Sequence, residues 1–275
     1  MQEMWQIAIP KEAMTHPYLM HSLLALSALH LVQSSPHHNE KYRKAAAGHH
    51  EAALAGLRPL LHCVTAQNCD AVCASATIVA MFAAGLHQTP GTEGKVTTLE
   101  GILEIGELSR GVHVVIKAAG QRIRLGKMGP MLNLIPWDDP PPLAPNISDA
   151  IQELENMITS SEMIENNRTI YLSIIRVLQR TFEATAINAH HPPLIFSWLV
   201  FVDRQMFTLI KQKDPVTLVL LTYFGVIMQG AAEHWWSCSL AQQQSHCTET
   251  FYEFVSPLKA QWEERMPNSG DKNKK

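Results

Sequence analysis

Residues 16–31, HPYLMHSLLALSALHL, read as one helix that is apolar most of the way round. Pro17 suits a first helical position, where its missing N–H costs nothing. Leu19, Leu23, Leu26 and His30 recur at spacings of three and four and share one face. Met20, Leu24 and Leu31 make a second face. Ser22, Ala25 and Ala28 put small side chains between them, so a neighbouring helix can come close. A helix apolar on most sides is expected to be surrounded by other helices.

Composition agrees with a large helical core. The chain has 275 residues, 46% of them hydrophobic and 17% charged, so the charged share lies below the usual quarter. Its formal net charge is −3, which provides no global attraction for DNA or anionic lipid. The first ten residues, MQEMWQIAIP, have neither the basic segment nor the apolar segment of a signal peptide. The run Val216 to Met228 is shorter than the roughly 20 apolar residues a membrane helix needs. These features predict a soluble, intracellular protein, nuclear or cytoplasmic. Five cysteines at 63, 69, 73, 238 and 247 form no disulfide framework.

Helical periodicity continues along the chain, and strand alternation does not. A second helix is expected near 36–61, with Ala46, Ala53, Leu54, Leu57 and Leu61 as its apolar stripe. Asn68 is positioned to cap a third over CDAVCASATIVAMFAAGL, and a fourth covers about 99–118. In the fourth, the long flanking period outweighs the β-branched Val112, Val114, Val115 and Ile116. Residues 136–148, PWDDPPPLAPNIS, hold five prolines and read as a linker between two helical halves of one domain, 1–267. Beyond the linker, helices are expected near 148–159, 166–186, 193–200 and 203–212. A long one then starts with Asp214 as N-cap and Pro215 in its first turn, reaching at least Trp236. A last helical region spans about 240–265, and residues 268–275 make a disordered tail. The fold class is all-α, a multi-helix single domain with a hydrophobic pocket.

Catalytic and metal motifs are sparse. There is no phosphate loop, dinucleotide fingerprint, nucleophile elbow or His-Glu-x-x-His pattern. Cys69 and Cys73 share a helix face, but Ala, Val and Ile around them favour buried structural thiols. Most of the fourteen histidines read as surface or helix-packing residues, and the adjacent pair 49–50 is a poor chelate. His16 and His21 flank the start of the first helix and suit capping or a bond to a neighbour. Asp138-Asp139 precedes three prolines and has no second carboxylate motif to complete a diphosphate site. No metal and no cofactor are expected.

The informative cluster is greasy. Leu218, Leu221, Tyr223, Phe224, Met228, His234 and Trp235 lie along the long late helix as candidate ligand-binding residues, preceded by Trp198, Phe201, Met206 and Phe207. Large and flexible side chains of this kind line pockets for hydrophobic ligands. Because 100° per residue spreads the candidates around the axis, they cannot all face one cavity.

HPYLMHSLLALSALHL (16–31) and YRKAAAGHHEAALAGLRPLL (42–61) together resemble the C-terminal regulatory domain of fungal zinc-binuclear-cluster transcription factors. The resemblance is to the sterol uptake control branch. It continues through NCDAVCASATIVAMFAAG (68–85), ELSRGVHVVI (107–116), GKMGPMLN (126–133) and DPVTLVLLTYFGVIMQGAAEHWW (214–236). It implies an all-α domain with a deep hydrophobic pocket, which accepts a sterol in the sterol-sensing members. The six-cysteine cluster that such factors use on DNA has no counterpart here, so no direct DNA contact is expected. Two functions follow. One is a regulatory module that binds a hydrophobic small molecule (sterol, terpenoid or polyketide), with a homodimer or a transcriptional partner. The other is a cofactor-independent, Diels–Alderase-like cyclase of fungal secondary metabolism using the same helical pocket.

Overall fold

The computed structural model describes residues 1–34, 39–86, 98–134, 139–160, 165–187, 191–231 and 234–236. Among these residues every regular element is helical, as the periodicity predicts. A π-helical stretch, Met4–Ala8, runs into α1 (Ile9–Ala13). Three longer helices follow: α2 (Pro17–Ser34), α3 (Asn39–Leu60) and α4 (Cys69–Leu86). At the head of α2 the carbonyl of His16 accepts the N–H groups of Leu19 and Met20 at 3.0 and 3.1 Å. Pro17 therefore removes a donor that had no helical partner anyway.

The face that α2 buries is its small-residue face. Tyr18, Ser22, Ala25, Leu29 and Val32 are sealed in, and Ser22 meets Ser75 of α4 through a 2.7 Å hydroxyl contact. Leu24 and Leu31 remain 41% and 38% exposed, so helices do not surround α2 on every side as its composition suggests. Helix α4 is the most enclosed of the three and packs on α2, α3 and α5. By length and composition it could cross a membrane, but most of its residues are buried among other helices.

Asn68 precedes α4 as expected, with its carbonyl accepting Val72 N–H at 2.8 Å. Its side chain acts backwards, however, accepting from Thr65 N–H and donating to the Cys63 carbonyl, and so braces the loop before the helix. Asp70, in the first turn, accepts backbone N–H groups from Lys127 and Met128 at 3.0 and 3.1 Å. A Cβ on Gly126 would collide with that carboxylate and displace it from these bonds.

Helix α5 (Thr98–Leu125) carries the β-branched run in helical form and continues past the expected end at 118. It bends at Ala119, whose φ and ψ are −141° and 17°, just before Gly120. A short α6 (Gly129–Leu132) closes the first half. The proline-rich stretch is non-helical over its described residues 139–144. Pro145 instead opens α7 (Pro145–Ser160), since proline is tolerated in a first turn. Then come α8 (Glu165–Ile187), α9 (Pro192–Ile195), α10 (Ser197–Phe201), α11 (Arg204–Lys211) and α12 (Pro215–Met228).

Asp214 caps α12 as read from sequence, accepting Thr217 N–H and Thr217 Oγ1–H at 2.8 Å each. Tyr171 of α8 donates to the same carboxylate at 2.8 Å, which fixes the cap against the core. The expectation that this helix reaches Trp236 is corrected. It ends at Met228 in one 3₁₀ turn, Gln229–Ala231, and the chain turns back over the first half. Gly85 of α4 receives it: a Cβ there would lie 3.3 Å from both Trp235 Cζ3 and Trp236 Cβ. The expected helical region 240–265, the tail 268–275 and residues 136–138 of the linker lie outside the described residues.

A small apolar cluster of Ala25, Ala28, Leu29, Ala46 and Phe82 joins α2, α3 and α4, and beside it stand two larger ones. One joins α1, α2, α4 and the later turns of α5; the other joins α7, α8 and α10–α12 with Ile102 and Ile105 of α5 and Ala83 and Ala84 of α4. Helices α4 and α5 belong to both, and α5 packs against α10 and α11 from beyond the linker.

Candidate functional site

A cavity of about 260 Å³ opens where the two clusters meet. Its walls follow from helical spacing. Thr77, Ala80 and Met81 come from one face of α4; Ile105, Ser109, Val112 and Ile116 form one stripe of α5. Opposite stand Pro192, Pro193, Phe196 and Val200 of α9–α10, with Trp5 and Trp236 from the two ends of the described chain. The space exists because two prolines and a break at Phe196 split this region into short helices, which cannot lie along α4 and α5 as a single rod would. His113 of α5 bonds through Nδ1 to the Val200 carbonyl at 3.0 Å and sets the separation of the walls. As the carbonyl can only accept, His113 Nδ1 carries the proton.

The wall is almost wholly apolar, and its hydroxyls are already engaged. Thr77 donates to the Cys73 carbonyl at 2.9 Å, Ser109 to Ile105 at 2.7 Å and Ser197 to Leu194 at 2.6 Å. His191 is the titratable side chain of the wall. Burial, then the neighbouring His234, lowers its pKa from 6.5, so it is neutral at pH 7. Its Nδ1 is buried and has no hydrogen-bond partner among the described residues.

The seven candidate residues from sequence do not line this cavity. Leu221, Phe224 and Met228 are buried in the second cluster, and Phe224 stacks on Trp198 with ring centroids 4.5 Å apart. Tyr223 packs half-buried against that cluster, and Leu218 is half-buried on the same helix. Trp235 turns to His30 of α2 at 4.7 Å, while His234 stacks near Trp236 at 6.0 Å. Helix α12 is apolar on every side because it packs on α8 and α11, and so its composition marks core. The wall residues that sequence reasoning missed sit on α4, α5 and α9. The adjacent Pro192 and Pro193, followed by Phe196 and Phe201, are the signal that could have pointed to them.

No group of three or more His, Cys, Asp and Glu side chains gathers among the described residues. Cys69 and Cys73 are free and buried, and burial pushes the Cys73 thiol up to about 12, so it is unreactive near neutral pH.

Residues 1–89 match the family model of the fungal specific transcription factor domain. That match covers about the first third of the chain. That segment spans α1 to α4 and supplies Met1, Trp5 and the α4 residues Thr77, Ala80 and Met81 to the cavity wall. The chain is also similar to sterol uptake control protein 2 of Candida albicans, 29% identical over 144 residues that make up 47% of this chain and 19% of the relative. The protein of the same name in Saccharomyces cerevisiae is 37% identical over 92 residues, 34% of this chain and 10% of the relative. The matched segments thus span about a fifth and a tenth of these relatives. These matches bear out the fungal regulatory-domain resemblance.

Proposed function

We propose that this protein is an intracellular fungal regulatory domain that holds a neutral, hydrophobic small molecule, of sterol or terpenoid type, in the cavity between α4, α5 and α9–α10. The observation that carries this reading is the nearly apolar cavity beside helices that match a fungal transcription factor domain. Similarity to two sterol uptake control proteins supports the ligand class. At about 260 Å³ the cavity lies just under the roughly 300–1,000 Å³ usual for drug-sized ligands. A four-ring ligand therefore requires the wall to give, and the unbranched Met81 and Met131 are suited to move. A cyclase would need donors aimed at a reacting carbonyl. The hydroxyls of Thr77, Ser109 and Ser197 are directed at backbone carbonyls instead, which favours binding over catalysis.

Titration with the fluorescent sterol dehydroergosterol tests the proposal, read as energy transfer from Trp5 and Trp236. Saturable binding of one sterol per chain, displaced by ergosterol and abolished by Ala80→Phe, is expected. Transfer that neither saturates nor responds to Ala80→Phe would overturn it.

A further inference from the structure

His21 of α2 and His49 of α3 meet across the helix pair with their Nδ1 atoms 2.9 Å apart. Their ring centroids are 5.1 Å apart and the planes are inclined by 35°. Both side chains are half-buried, so solvent reaches them. Two neutral imidazoles can share one proton at this distance, one nitrogen donating and the other accepting. The same spacing suits a metal. An imidazole nitrogen binds a divalent d-block ion at about 2.0–2.1 Å, so two nitrogens at 90° on one ion lie about 2.9 Å apart, and two at the tetrahedral angle about 3.4 Å apart.

We propose that His21 and His49 form a two-point chelate for a borderline divalent ion of square-planar habit, Cu(II) or Ni(II), clamping α2 to α3. The donor ring moves its proton, through solvent, from Nδ1 to Nε2, and the ion takes one lone pair from each Nδ1, with water in the remaining positions. Ca²⁺ and Mg²⁺ are disfavoured because they require oxygen ligands. Neighbours one helical turn away, Tyr18, Leu24 and Ala25 on α2 and Ala45, Ala46 and Ala53 on α3, offer no carboxylate or thiol for a closed zinc cage. The adjacent His50 points elsewhere, stacked on Phe82 of α4 at 4.1 Å, so the chelate joins two helices instead of two successive residues. This site lies within the segment matching the transcription factor domain and is independent of the cavity.

The test is a Cu(II) titration of the purified full chain followed by electron paramagnetic resonance. Two equivalent nitrogens in the copper plane at one equivalent, and a melting temperature raised by several degrees with excess metal, are expected. His21→Gln or His49→Gln should each lower affinity about ten-fold or more and leave a one-nitrogen spectrum, and the double variant should lose that remaining nitrogen and bind more weakly still. His62→Gln, at an exposed histidine elsewhere, should change nothing. Circular dichroism of each metal-free variant confirms that it folds. Unchanged spectra and affinity in both single variants would overturn the proposal, as would a wild-type spectrum showing a single nitrogen.

Discussion

The two larger apolar clusters solve the same packing problem in opposite ways. The first, around α2–α4, uses small residues: Ala71, Cys73, Ala74, Ser75 and Ala76 are buried at the centre of α4, and helices approach until Ser22 touches Ser75. The second, around α8–α12, is filled by large side chains, with Trp198, Phe207 and Phe224 fully enclosed. Close approach leaves no space between helices. Bulky side chains on short, broken helices do, and the cavity lies on that boundary. The first region is close-packed throughout, and the second leaves the space that the cavity occupies.

If this contrast is right, the regions should fail to different substitutions. The largest effect is expected in the second. Trp198→Ala removes a fully buried indole stacked on Phe224 and should cost about 3–5 kcal/mol by urea denaturation. Its Nε1 has no hydrogen-bond partner among the described residues, so Trp198→Phe should stay within about 1.5 kcal/mol of wild type. Equal losses from both variants would mean that packing volume does not control this region.

In the first region enlargement should do the damage. A Cβ at Gly56 would lie 2.8 Å from Tyr18 Cβ, so Gly56→Ala must push α3 from α2 and should cost about 1–3 kcal/mol, although alanine has the better helix propensity. A stabilised Gly56→Ala variant would show that the pair has slack. Truncation there should be mild by comparison. Ser75→Ala leaves the Ser22 hydroxyl its bond to the Tyr18 carbonyl, and about 1 kcal/mol or less should be lost.

The smallest effect is pH-dependent. Burial is the main cause lowering the pKa of His50 in the first region and of His113 on α5, both from 6.5. The unfolded chain takes up protons on these rings near pH 6.5, and the folded chain only at lower pH. Their contribution is thus present above pH 6.5 and is lost as pH falls towards the folded values. Melting temperatures between pH 7.5 and 5.5 should decline, and His50→Phe should flatten the decline. An unchanged slope would remove His50 from the account.

Much of the fold was legible because its signals are local. Pro17 and the Asp214–Pro215 pair mark helix starts through geometry confined to one turn. The β-branched residues of α5 took the helical state that the longer period required, and Cys69 and Cys73 are buried as their neighbours implied. The site was less legible. Leu221, Phe224 and Met228 have pocket-like chemistry, yet they are core because α8 and α11 cover them. Asp70 stands in the first turn of α4, yet its bonds to Lys127 and Met128 span 57 and 58 residues.

The chain's own pattern was enough to specify helices, most of their starts and the small-residue face that lets α2, α3 and α4 come close. Those depend on backbone geometry and side-chain size over a few turns. Where α12 stops, which side of α2 meets solvent, which residues enclose the cavity and that His21 faces His49 were set by assembly. Each depends on contacts between segments distant in sequence, and helical periodicity carries no information about the partner that a face will meet.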